Sequence, residues 1–169
     1  MWNNTDVPLA CLITFRCYGT WLHGDERGSV DRFHNHYRSP YLSASEMRRQ
    51  HSARKLKCEP VTLEAAQRES VEMAIRETCA FRTWLLQAIN VRTNHVHVVV
   101  TIGAIPPERA LNAFKANATR RLRQEGHWNY QHSPWADKGS KRYLWNERSM
   151  ERAVDYVTNG QGDELPESD

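Results

Sequence analysis

Two histidines one residue apart, His95 and His97, stand in the run TNHVHVVV from Thr93 to Val100. Its β-branched residues predict a strand, along which side chains alternate. Both imidazoles then project from one face and Val96 from the other. Two neutral imidazoles held at a fixed spacing form half of a divalent-metal site, which needs at least one more ligand from elsewhere. Taken alone, His-x-His in a strand is as often incidental as functional. A second element raises its weight: MERAVDYVTNGQGD, near the C-terminus, reads as a helix presenting Tyr156, with Asn159 and Gln161 close behind. A divalent ion held by two histidines and a side-chain oxygen can neutralise charge developing on a phosphate. A free phenol ionises only near about pH 10, so it becomes a useful nucleophile beside a metal or base, and its attack on phosphorus gives a phosphotyrosine. These are the parts of a phosphoryl-transfer centre. Without the histidines, Tyr156 would be read as packing its helix on a sheet.

The elements that must position these groups follow from pattern. Leu9 to Tyr18 (LACLITFRCY) is apolar, β-branched and aromatic, and predicts a mostly buried strand ending at Gly19. Residues 19–60 show no sustained period and many charged, aromatic and turn-forming residues, which predicts a long insertion. Thr62 to Arg82 repeats apolar residues at helical spacing, and Trp84 to Val91 and Asn94 to Ile102 read as two strands joined through Arg92 and Thr93. Pro106 and Pro107 open a second helix to about Gln124, with an apolar stripe and an opposite basic face. A short strand, Lys141 to Trp145, precedes a third helix from Ser149 to Asn159. This order predicts an α+β domain of ferredoxin-like type, an antiparallel sheet with its helices on one face and a long insertion after the first strand. It gives one domain over 1–161 and an acidic tail over 162–169.

With 169 residues, 40% hydrophobic and 25% charged, the chain falls in the ordinary globular class and outside the collagen-like and disordered ones. No apolar run is long enough for a membrane span, and MWNNTD lacks the layout of a secretory signal, so the expected location is the cytoplasm. The four cysteines include no Cys-x-x-Cys pair and are expected to be reduced. The net charge of +3 conceals an asymmetry, because the last eight residues hold four acidic groups and no basic one, leaving +7 on residues 1–161. Positive charge concentrates in Arg48 to Lys57 and around Lys115, Arg120, Arg121 and Arg123, with Lys138, Lys141 and Arg142 further on. A phosphate backbone suits such surfaces, although any one cluster is more often a solvated helix face. Trp128, Tyr130 and Trp135 offer either base stacking or packing of an irregular loop.

The chain resembles the HUH single-tyrosine transposases of the insertion-sequence-200 type, including the REP-associated ones. The resemblance rests on NHVHVVV (94–100), YLWN (143–146), DYVTNGQGD (155–163) and CYGTWLHGDERGSVDR (17–32), and covers about residues 8–163. It implies a ferredoxin-like domain that nicks and rejoins single-stranded DNA through a 5′-phosphotyrosine. His95 and His97 match the metal-binding pair and Tyr156 the nucleophile. The family's third ligand to Mg²⁺ or Mn²⁺ is a carboxamide about one turn after the tyrosine. Here that position is Gly160, so Gln161 and Asn159 both remain, with Gln161 narrowly preferred. The resemblance further implies a homodimer, recognition of hairpin DNA, and no small-molecule cofactor; Lys115, Arg120, Arg121, Arg123, Lys141 and Arg142 are the expected nucleic-acid contacts.

Other readings stay open at this point. A domesticated protein could nick dispersed hairpins without moving its own gene, and a non-catalytic nucleic-acid-binding module could keep the fold and its basic surface. A zinc hydrolase built on His95 and His97 lacks an evident third His or Cys, and His23, Asp25, His34 and His36 lack the ordered spacing of a second site.

Overall fold

The structure, a computed structural model, describes residues 7–19 and 58–162. Most of the expected insertion, with Arg48 to Lys57 and the histidines at 23, 34 and 36, lies outside the described residues, as does the acidic tail from 163. The elements are β1 (Ala10–Arg16), α1 (Ala65–Arg82), β2 (Leu85–Val91), β3 (His95–Thr101), α2 (Pro107–Gln124), β4 (Ser140–Leu144) and α3 (Glu147–Asn159).

The strands form one sheet in the order β2-β3-β1-β4, with every neighbouring pair antiparallel. Strands β1 and β2, joined through α1, therefore run parallel on either side of β3, the split β-α-β arrangement expected of a ferredoxin-like α+β domain. The chain leaves β1 at Tyr18 and returns at Val61, whose N–H donates to the Tyr18 carbonyl at 2.8 Å, so the segment between them starts and finishes at one point.

Alternation along β1 and β3 divides the interior into two layers. Cys11, Ile13, Phe15, Val96, Val98 and Val100 point to one side, where α1 and α2 cover them with Val71, Ile75, Leu111, Phe114 and Leu122. Ala10 and Val99 point to the other side, with Leu144, and meet Ala153 and Val157 of α3. The expectation of helices on one face is thus corrected. Helices α1 and α2 share a face, but α3 packs on the opposite one, because β1 and β3 present apolar side chains to both sides.

Local chemistry fixes the helix ends. The Glu64 N–H donates to Gln67 Oε1 at 2.9 Å at the start of α1, and Pro107 opens α2, where its missing N–H costs nothing. Helix α3 is capped by Asn146, whose Oδ1 accepts from the Ser149 N–H at 2.9 Å.

Phe114 is fully buried and stacks edge-on against Trp84, whereas Phe81 is 89% exposed. Phe114→Ala should destabilise the fold by about 3–5 kcal/mol. Phe81→Ala should change stability by less than about 0.5 kcal/mol. Urea unfolding of the two variants checks the contrast.

Candidate active site

Beneath α3 the sheet forms the floor of a cleft of about 790 Å³. The register sets out that floor in rows. His97 of β3, Thr14 of β1 and Ser140 of β4 lie side by side; His95 pairs with Arg16 on one flank, and Val99, Leu12 and Arg142 form the row on the other. Ser149, Arg152, Ala153 and Tyr156, spaced at three, four and seven residues along one side of α3, line the roof.

The two imidazoles are held by their δ-nitrogens. Nδ1–H of His95 donates to Asn94 Oδ1 at 2.6 Å, and Nδ1 of His97 is hydrogen-bonded to Thr14 Oγ1 at 2.8 Å. Their rings lie 4.7 Å apart at 74°. With Nδ1 engaged in each ring, any ligation would fall to Nε2. Nε2 of His95 faces Gln161 Oε1 at 3.3 Å, while the amide end of Gln161 donates to the Tyr156 carbonyl at 3.0 Å. The lone pair of a neutral His95 and that of a carboxamide oxygen thus point at one another, an arrangement a cation between them would satisfy. Two imidazole nitrogens and one amide oxygen would give a donor set of mixed character compatible with Mn²⁺ or Mg²⁺. Among the described residues, no third His, Cys, Asp or Glu joins the pair.

His97 is 7% exposed, and burial, with His95 adding to it, pushes its pKa down to about 4; a hydrogen bond to the Gln161 amide oxygen partly opposes this. It is therefore neutral, the form that ligates, across the physiological range.

Tyr156 stands against His97, with ring centroids 5.5 Å apart, and is 48% exposed at the cleft mouth. Asn90 of β2 donates to the Val157 carbonyl at 2.9 Å and ties this end of α3 to the sheet. The helix stops one residue before Gly160, whose N–H donates to the Tyr156 carbonyl at 2.9 Å. A Cβ at Gly160 would meet that oxygen at 2.7 Å and the tyrosine ring at 3.1 Å. The missing side chain lets the chain turn tightly under Tyr156 and swing Gln161 back to the histidines. Asn159 instead donates to Asp155 at 2.8 Å along the exposed side of the helix. Of the two carboxamides, Gln161 is the one in the cleft.

The expected nucleic-acid contacts divide. Arg142 lines the cleft. Lys115, Arg120 and Arg123 line a separate groove beside α2, in the layer across the sheet, with Gln131 and Ser133. There Lys115 donates to the carbonyls of Ala136 and Lys138, and Arg123 to those of Tyr130 and Gln131. Arg121 turns to α1, paired with Glu77 at 2.7 Å and Glu125 at 2.8 Å, and Lys141 pairs with Glu108 at 2.6 Å. Trp128 and Trp135 are buried, Trp135 edge-on to Phe15, so packing claims both; Tyr130 is exposed.

Sequence reading missed Thr14, Asn94, Arg16, Arg152, Ser140 and Ser149. Asn94 adjoins His95 within the motif and was open to notice. Thr14 becomes a partner only through the β1–β3 register, 83 residues away.

The family model described as Transposase IS200 like matches residues 50–159. The protein is a transposase, and the chain belongs to the IS200-like family. The match takes in the histidine pair and Tyr156 and stops two residues short of Gln161. No curated protein matches the chain. Among the described residues, no helix is long and apolar enough to cross a membrane.

The folded pKa of His97, about 4, lies below its ordinary 6.5. Between those values the unfolded chain binds a proton that the folded chain does not, so stability should fall as the pH drops from about 6.5 to about 4. NMR titration of the metal-free protein should place the His97 midpoint near 4; a midpoint at 6.5 or above would contradict the buried, neutral ring.

Proposed function

We propose that this transposase nicks and rejoins single-stranded DNA with Tyr156 as nucleophile, and that His95, His97 and Gln161 hold one Mg²⁺ or Mn²⁺ beside it. The observation carrying this reading is the convergence of the four side chains, from β3, α3 and the turn after α3, in one cleft. When bound, the ion supplies positive charge that neutralises the oxygens of the scissile phosphate and stabilises the leaving oxygen. The protein's own groups do the rest. Asn94 and Thr14 fix the ring orientations, Gly160 sets the spacing between nucleophile and carboxamide, and the edge-on His97 ring restricts the tyrosine.

Tyr156 Oη forms a bond to phosphorus as the bond from phosphorus to the 3′-oxygen breaks. The phenolic proton leaves to solvent at the open mouth, and the departing 3′-oxygen takes up one proton. The products are a 5′-phosphotyrosine and a free 3′-hydroxyl. One phosphoester replaces another, so attack by an incoming 3′-hydroxyl reverses the step and rejoins a strand. DNA hairpins are the proposed substrates.

The test uses hairpin-containing single-stranded DNAs labelled at either end, with Mn²⁺, and scores SDS-resistant protein–DNA adducts. Wild type should form an adduct that keeps the 3′-end label, joined to the 5′-phosphate at the break, and Tyr156→Phe and His95→Ala should form none. Hairpin binding without any adduct, whatever the metal, would replace this reading with a binding module. Gly160→Ala should slow adduct formation by about 100-fold, since a misplacement on the order of 1 Å costs that much. Asn94→Ala should weaken Mn²⁺ binding by about 10–100-fold in calorimetric titration.

A further inference from the structure

Three guanidiniums, those of Arg16, Arg142 and Arg152, line the cleft, and among the described residues no carboxylate lines it. Some of the other described cations are committed to carboxylates. Arg76 is paired with Glu72, Arg121 with Glu77 and Glu125, and Lys141 with Glu108. Arg142 and Arg152 have no such pairing with any described carboxylate. Their guanidiniums add positive charge to the cleft, and their planar forks match phosphate oxygens two at a time.

Their positions relative to Tyr156 are specific. Arg152 precedes it by four residues on the same side of α3, just over one helical turn or about 6 Å along the axis. Arg142 lies on β4, an edge strand of the sheet, two strands from β3 and hence about 10 Å across the floor. It shares a row with Leu12 and Val99, adjacent to the row of His97, Thr14 and Ser140. One arginine therefore descends from the roof and the other rises from the floor, on the side where the sheet ends.

We propose that Arg142 and Arg152 clamp a phosphodiester neighbouring the scissile one, so that the DNA strand runs from the histidine pair outward between α3 and the edge of β4. This deepens the reading of Tyr156 as nucleophile and rests on it for the word scissile. The two arginines bind substrate; they set which phosphate reaches the tyrosine and take no part in bond making.

Two measurements test the clamp. In a Tyr156→Phe background, fluorescence anisotropy with labelled dT20 is followed across salt concentrations. Removing both arginines (Arg142→Ala with Arg152→Ala) should weaken binding about 10-fold or more at low salt. It should also flatten the slope of log affinity against log salt by about 0.7 for each phosphate that is no longer neutralised. The double lysine variant should keep the slope, which separates lost charge from a disturbed fold. In the second measurement, single neutral methylphosphonates replace phosphates one at a time in a hairpin that yields the adduct. Wild type should slow about 10-fold at one position beside the break, and the double alanine variant should be insensitive there. A slope equal to that of the parent, or unaltered sensitivity at that position, would overturn the clamp while leaving the tyrosine chemistry standing. A flattened slope with no adduct from any protein would support the anion site and sink the tyrosine reading instead.

Discussion

Strand β3 has no solvent-facing side, and the rest of the molecule is arranged around that constraint. Val96, Val98 and Val100 are fully buried against α1 and α2, and on the reverse Val99 is buried under α3. The imidazoles of His95 and His97 share that reverse face, so any helix that covers Val99 is brought over the histidines as well. Tyr156 reaches them because α3 has to be there to complete the second core. The pairing of Tyr156 with the histidines is a by-product of burying a two-sided strand.

This double burial also governs the electrostatics. Placing His97 under a helix removes water from one imidazole and makes its protonated form costly, while leaving an uncharged nitrogen suited to ligation. The described walls of the cleft answer with positive charge alone. A buried neutral imidazole, a half-exposed phenol and the guanidiniums of Arg142 and Arg152 share one space, whose charge favours an anion.

Much of this was legible in the chain. The HVHVVV run announces a strand whose apolar residues outnumber one face, and the strands and helices stand close to where spacing put them. The side of the sheet taken by α3 was not legible: Ala153 and Val157 mark which residues of the helix are buried, and nothing local marks which of two apolar faces buries them. Charge misled in a related way. Arg121 and Lys141 read as basic surface, but their partners, Glu77 and Glu108, sit 44 and 33 residues away. Gly160 was visible as a departure where a carboxamide was expected. Its reason, a turn packed too closely under Tyr156 to admit a Cβ, exists only once the helix has ended.

The hydrogen bond from Val61 to Tyr18 closes the chain on itself where the first strand ends, and Leu63 then donates to the carbonyl of Thr93, in the connection leading to the histidines. The two described ends of the intervening stretch are therefore fixed together beside the sheet. The entropic cost of such closure rises only logarithmically, by about 0.6 kcal/mol per doubling of length. A change of length between Tyr18 and Val61 therefore costs little, while the frame beside the histidines keeps the same anchor.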